Sequence, residues 1–497
     1  MRTFGLSDAA FGALAAGRPA RATLDELRKA QVSRHLLQLR ATGTVPSWYG
    51  GPDTAARLAD PMFALHTAAT LAARHTGAEP PGEPLRSARR LTAEHGGLTL
   101  RVRLEDTDPL RARLGLSPTG PLDDDAAAAW QRCLDGAWRL LVDRHQPAAA
   151  TLAAVLSVIV PVESDPGAAG ISATSAEAYG AVALSPTTDP VALAVGLLHE
   201  AQHSVLNAVL VLFDLVQQGP ERGYSPWRDD PRPPLGVLHG AYAYLAVTRF
   251  WRAEHRAGHE NATELGGSLA AFEFARWRAA VVAAADELLA GQQLTGPGRR
   301  FAGALRDEAA AWLDEPVDPE VSRLAAGANL EHRVRWRLRN LPVSPASVAA
   351  LVEAWRAGSP PPPALSSVAP AGGRALAHSD RLSLVHRVLR ERDQSLSAGS
   401  GVRPQADAQR GVRQGTHPRP YKKNAGDDAY LEGQQEAAFE AFMRDLTDDD
   451  PAVWSGLALV SPYTALRDRP EVVRAAWLAL DRPDLPALAA WLSRPAG

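Results

Sequence analysis

The sequence predicts an α+β protein, mainly helical, with a small β-sheet beside two metal-bearing helices and a tetratricopeptide-like (TPR-like) helical appendage at its C-terminal end. Three observations lead there. Helical periodicity runs through most of the chain, alternating or β-branched runs are few and short, and one long apolar helix contains His-Glu-x-x-His. With 497 residues, 45% hydrophobic and 22% charged, the chain is long enough for several units around large cores.

From the N-terminus, residues 5 to 42 carry apolar positions at helical spacing, including Leu24, Leu27, Val32, Leu36 and Leu39. The Pro46 to Pro52 stretch interrupts them, and a further helix is predicted from Phe63 to His75. Leu98, Leu100, Val102 and Leu104 alternate with Thr99, Arg101 and Arg103, the pattern of a half-buried strand. A helix from about Asp124 to His145 follows, then strand-like runs at Val155 to Val162 and Tyr179 to Leu184. Asp189-Pro190 is a helix start, with Asp as N-cap and Pro in the first turn, and that helix is expected to continue to about Gln217 before Gly219-Pro220. A polar loop (GYSPWRDDPRPP) leads to a helix from about Leu235 to His255, and Ala/Arg-rich helices fill 262 to 357.

The domain organisation read from this pattern is an N-terminal helical segment (1–92), a metal-binding core with helical continuation (93–357), a linker-rich region (358–426) and a TPR-like segment (427–497). The linkers are Gly358 to Arg374, with prolines from Pro360 to Pro363, and Ser395 to Gly426, basic toward Arg410 to Lys423. The TPR-like reading rests on the spacing of Tyr430, Gly433, Ala437, Phe439, Phe442, Pro451, Trp454 and Leu457.

Composition narrows the function classes. Lys and Arg number 53 against 56 Asp and Glu, net −3, so no global field favours nucleic acid or an anionic membrane, and neither is expected as a partner. Cys133 is the one cysteine, which excludes an internal disulfide, a Cys-rich zinc site and a three-Cys iron–sulfur motif. A reducing cytoplasm is the expected location. Met1 to Arg18 places Asp8 inside its apolar stretch and does not read as a secretory signal, and Val191 to Val216 carries His199, Glu200 and His203, which would be costly at bilayer depth.

His199 and His203, four residues apart on a helix, lie one above the other on one face, so two imidazoles can reach one metal ion. The extended pattern with Gly-x-x-His downstream fails, because Leu206 and Val209 stand there. His239, on the next predicted helix, is the expected third ligand, with Glu221 and Glu254 as carboxylate competitors.

The segments LLHEAQHSVLNA, YSPWRDDPRP, LHGAYAYLAVTRFW and AYGAVALSP together resemble the alpha-ketoglutarate-dependent HExxH-type peptide beta-hydroxylases of ribosomal-peptide (RiPP) natural-product pathways, and the resemblance extends more weakly from SRHLLQLR to about residue 350. It implies Fe(II), alpha-ketoglutarate as co-substrate, O2, and hydroxylation of a side-chain β-carbon in a ribosomally made precursor peptide. Under that reading Glu200 orients ligands or water, whereas in a zinc peptidase it would be the general base. A set of His199, His203 and His239 departs from the usual two-His, one-carboxylate arrangement of non-haem iron oxygenases. The distal carboxylate of alpha-ketoglutarate calls for a bidentate cation, for which Arg228 and Arg232 are the nearest candidates by sequence, with Tyr224 as an added hydroxyl donor. Salt bridging with Asp229 and Asp230 is the competing role for both arginines. The alternatives are a zinc metallopeptidase and a non-catalytic peptide-binding scaffold; the oligomeric state is not legible.

Overall fold

A computed structural model describes residues 4–43, 46, 49–82, 84–165, 170–261, 267–364, 379–399 and 424–494. The chain begins with helices α1 (Asp8–Ala15), α2 (Arg21–Ala41), α3 (Thr54–Leu58) and α4 (Pro61–Thr76), so the predicted opening helix is two, divided at Gly17 in a left-handed conformation (φ 67°). Strands β1 (Arg90–His95) and β2 (Leu98–Leu104) form an antiparallel hairpin, and helices α5 (Asp124–Arg144) and α6 (Gln146–Val155) cross to β3 (Val158–Pro161). Strand β4 (Ser172–Ala173) and strand β5 (Ala181–Leu184) complete a sheet in the order β1-β2-β3-β5-β4, parallel at β2/β3 and β3/β5.

The sheet is covered on both sides, which is why β3 and β5 read as continuous apolar runs. Val158 and Val160 pack with Ala181, Ala183, Met62 and Leu65 of α4, while Ile159, Val182 and Leu184 face Trp138 and Leu141 of α5. Helix α7 (Pro190–Val209) starts as the sequence predicts, with Asp189 accepting a hydrogen bond from the Val191 amide. It adds Leu193, Leu197 and Leu198 to the core that Ile159 shares with α5.

Three elements differ from expectation. The β-branched run from Val155 begins inside α6, and the strand starts at Val158. Helix α7 ends at Val209 instead of near Gln217. Beyond it Leu215 is buried, the Gln217 amide donates to the Gln293 carbonyl at 2.7 Å and the Thr295 amide donates to the Leu215 carbonyl, so pairing with a distant segment displaces further helix. The expected polar loop is a two-stranded hairpin, β6 (Gly223–Ser225) and β7 (Arg228–Arg232), turning at Pro226-Trp227, and Asn340 donates to its Asp229 carbonyl. Strands β1 and β4 have no counterpart in the sequence reading.

Helix α8 (Pro234–Asn261) packs against α7 through Val237, Leu238 and Ala241 meeting Val205, Leu206 and Val209. Helices α9 (Ser268–Ala290), α10 (Gly296–Ala310), α11 (Pro319–Asn340) and α12 (Pro345–Arg356) continue the helical layer. Most of both expected linkers lies outside the described residues; between them α13 (Asp380–Gly399) buries Leu384, Val385 and Leu389. The C-terminal helices α14 (Ala425–Leu431), α15 (Gln435–Asp445), α16 (Pro451–Val460), α17 (Thr464–Asp468), α18 (Pro470–Ala479) and α19 (Leu485–Leu492) share one core with α9, α11 and α13, built around Phe442, Trp454 and Trp477. Among the described residues no helix is long and apolar enough to cross a membrane.

Candidate metal centre

The predicted face of α7 is realised. His199 and His203 sit one turn apart with their Nε2 atoms 3.1 Å from each other, the separation expected of two nitrogens about 2 Å from a common ion. His199 meets Tyr244 of α8 at 5.2 Å between ring centroids, and His203 meets His239 at 5.4 Å. The higher number on α7 pairs with the lower on α8, the order of an antiparallel pair, so the predicted fold-back does bring His239 to the site.

Each imidazole is held neutral. Desolvation lowers the pKa of His199; His203 is pushed well below its ordinary value by desolvation and by its two neighbouring imidazoles; His239 is lowered to about 4 by desolvation and by the charge of Arg232. A neutral imidazole has a free lone pair, the form a metal requires.

The donors within 4.8 Å of one another are those of His199, Glu200 and His203. His239 approaches the other side of His203, Nδ1 to Nδ1 at 3.4 Å, while the Nε2 of His203 faces His199. That position suits a third donor after a small ring movement, and it also suits a partner that fixes the second nitrogen of a metal-bound imidazole. Glu254 is buried against His145 (2.7 Å) and Arg144 (2.6 Å), and Glu221 is exposed on the turn after Gly219, so neither carboxylate competitor is gathered here.

Glu200 is buried, and the sequence offered no partner for it. The structure supplies two from β4 and the residue after it. Ser172 Oγ donates to Oε1 at 2.6 Å and Thr174 Oγ1 donates to Oε2, leaving Oε1 4.0 Å from His199 Nε2. A two-residue edge strand carries no periodic signal, so these hydroxyls are invisible before folding.

The three residues expected around a co-substrate carboxylate are placed differently. Arg228 donates from Nε to Asp230 at 2.8 Å with its terminal nitrogen 2.6 Å from the same oxygen, and Arg232 lies 3.4 Å from the other oxygen of Asp230. Both arginines therefore already have an anion, the competing role noted from the sequence. The Tyr224 hydroxyl is 2.9 Å from His332 Nδ1, with its pKa pushed up by burial. Arg249 bonds the Ala16 and Gly17 carbonyls and Glu308, and Arg252 pairs with Glu315, so both serve the fold.

On the α8 side, an aromatic wall borders His199. Tyr244 stacks on Trp227 (5.0 Å, 15°) and contacts Trp277 (4.3 Å). Trp227 can lie there only because residue 240 is glycine: a Cβ on Gly240 would stand 1.9 Å from its indole nitrogen. Behind this wall Arg276 lies over the Trp277 ring at 4.2 Å. Its charge is the leading electrostatic influence on Tyr244 and on His332, whose pKa falls to about 3 mainly through desolvation. Sequence reasoning missed Tyr244, Arg276 and His332. The one local signal for Arg276 is its position between Phe274 and Trp277 in a helix otherwise read as Ala/Arg-rich.

As a donor set, two neutral imidazoles at metal-ligand separation, a third beside them and a carboxylate within reach fit a divalent transition ion. No protein-family model matches this chain, and no curated protein matches it.

Proposed function

We propose that the protein is a non-haem Fe(II), alpha-ketoglutarate-dependent dioxygenase that hydroxylates a side-chain β-carbon of a ribosomally synthesised precursor peptide. The observation that carries this over the zinc-peptidase reading is the state of Glu200. A general base must be free to turn toward the water it deprotonates, whereas here a hydroxyl from Ser172 or Thr174 holds each carboxylate oxygen. A carboxylate fixed in this way positions its neighbours on α7.

His199 and His203 hold the ion, and His239 is the proposed third donor. Bound iron and its co-substrate supply oxidation of the target carbon by O2, with alpha-ketoglutarate leaving as succinate and carbon dioxide. The chain's own residues bind and orient. The imidazoles stay unprotonated, Glu200 and its hydroxyl partners keep the first turn of the metal face in place, and Trp227, Tyr244 and Trp277 form an apolar wall that keeps bulk water from that side. The TPR-like C-terminal helices, which share a core with α9, α11 and α13, belong to this proposal in a structural or docking role.

The test is anaerobic loading with Fe(II), then O2 and alpha-ketoglutarate, with succinate release and the gain of one oxygen atom measured on peptides encoded beside the gene. Glu200→Gln should keep its metal and lose about ten- to a hundredfold in turnover through disturbed positioning. Peptide cleavage that needs zinc, proceeds without alpha-ketoglutarate and disappears in Glu200→Gln would establish the peptidase instead.

A further inference from the structure

Among the described residues, a conflict between charge and burial lies behind the helices that carry the histidine cluster. Arg276 is 7% exposed. Among the described residues it forms no ion pair, and its Nε is buried without a hydrogen-bond partner. A buried guanidinium normally has a carboxylate, because desolvating a charge without one is costly. A second donor nearby is in the same condition: Trp336, 4% exposed, has its indole Nε1 buried and unpartnered and packs edge-on against Tyr224 at 5.4 Å. The two lie on different helices, α9 and α11, and both border the Tyr224–His332 pair.

We infer that Arg276, and not Arg228 or Arg232, receives the distal carboxylate of the dicarboxylate co-substrate. This rests on the hydroxylase reading. Arg276 is joined to the histidine site by a run of ring contacts: it lies over Trp277 at 4.2 Å, Trp277 meets Tyr244 at 4.3 Å, and Tyr244 meets His199 at 5.2 Å. Arg228 and Arg232 would have to leave Asp230 before taking a ligand, whereas Arg276 has no such bond to break. A planar guanidinium stacked on Trp277 is also held in one orientation, which limits the entropy lost when it binds a carboxylate in two-pronged fashion.

The experiment is anaerobic calorimetric titration of the Fe(II)-loaded protein with alpha-ketoglutarate and, separately, with pyruvate, which keeps the 2-oxo acid and lacks the distal carboxylate. The wild-type protein should prefer alpha-ketoglutarate. Arg276→Leu should weaken alpha-ketoglutarate roughly ten- to a hundredfold and leave pyruvate nearly unchanged, collapsing the preference. Arg276→Lys, which keeps the charge without the fork, should fall between them and carries the test if the leucine variant does not fold. Arg228→Leu and Arg232→Leu should leave the preference intact. A preference that survives both Arg276 variants, or disappears in the Arg228 or Arg232 variant instead, overturns the assignment while the hydroxylase reading stands. Failure of the metal-loaded wild-type protein to bind alpha-ketoglutarate at all overturns both.

Discussion

Arg381 and Arg276 are the same residue at nearly the same burial, 4% and 7% exposed, in two parts of one helical layer. Arg381 is fully engaged: Nε bonds Asp427 at 2.5 Å, Nη1 reaches Glu331 at 3.2 Å and Ser455 at 3.1 Å, and Nη2 donates to the Ala452 carbonyl at 2.9 Å. These bonds join α13 to α11, α14 and α16, and they tie the C-terminal helices to the rest. Arg276 has an aromatic face and, among the described residues, no carboxylate at ion-pair distance; Glu273, whose carboxylate feels its charge, is held by Trp277 and His386. Burial alone therefore does not separate a structural charge from one kept for a ligand; satisfaction does.

The largest expected effect breaks that comparison if it is wrong. Arg381→Met should cost about 3–5 kcal/mol, because it removes the buried guanidinium shared by Asp427 and Glu331 and leaves Glu331 only the longer pair with Arg335 at 3.7 Å. Arg276→Leu should cost far less in the ligand-free protein, since it breaks no ion pair and Glu273, which feels its charge, keeps its bonds to His386 and Trp277. Equilibrium denaturant unfolding of both variants decides it, and equal losses would abolish the distinction.

A smaller effect sharpens what the histidine cluster holds. His199→Ala or His203→Ala should weaken Fe(II) or Co(II) binding by more than about a hundredfold, the upper range for a residue that only supports a ligand. His239→Ala separates its two geometries: a loss as large as the other two makes it a donor, and a loss of about ten- to a hundredfold makes it the partner of His203 Nδ1. Competition against a chromophoric chelator reads both.

The most gradual effect concerns pH. His332 has its pKa lowered from the ordinary value near 6.5 to about 3, by desolvation first and then by Arg276 and Arg335. A depressed folded pKa means that the unfolded chain takes up the proton first. The stability linked to His332 is fully present above about pH 6.5 and is lost as pH falls toward 3, with a slope of at most about 1.4 kcal/mol per pH unit. His332→Gln should be less sensitive to acid than wild type over that window in metal-free protein. Parallel acid profiles would show that burial and the neighbouring arginines do not lower the pKa of this imidazole.

Local features were legible before folding. Asp189-Pro190 marked the start of α7, the four-residue spacing placed His199 and His203 on one face, and the β-branched and short apolar runs pointed to β3 and β5. The end of α7 was not legible, because no breaker stands at Val209; pairing of 215–217 with 293–295 ends it. Nor was the hairpin, whose Pro- and Asp-rich strands contradict strand propensity and are held by Asn340 and by one another.

By itself the sequence determined that His199 and His203 share one face of α7, since helix period is a property of neighbouring residues and turns two histidines at i and i+4 toward one point. Only the tertiary structure decided the surroundings of that face. Ser172, in an edge strand, and Thr174, just after it, lie 28 and 26 residues before Glu200, and Arg228 and Arg232 are drawn to Asp230 in their own hairpin. Arg276 on α9 and His332 on α11 reach the same region only when those helices pack together. The fate of a polar side chain depends on which partners arrive within about 3 Å, and that distance is set by packing between segments far apart in the chain.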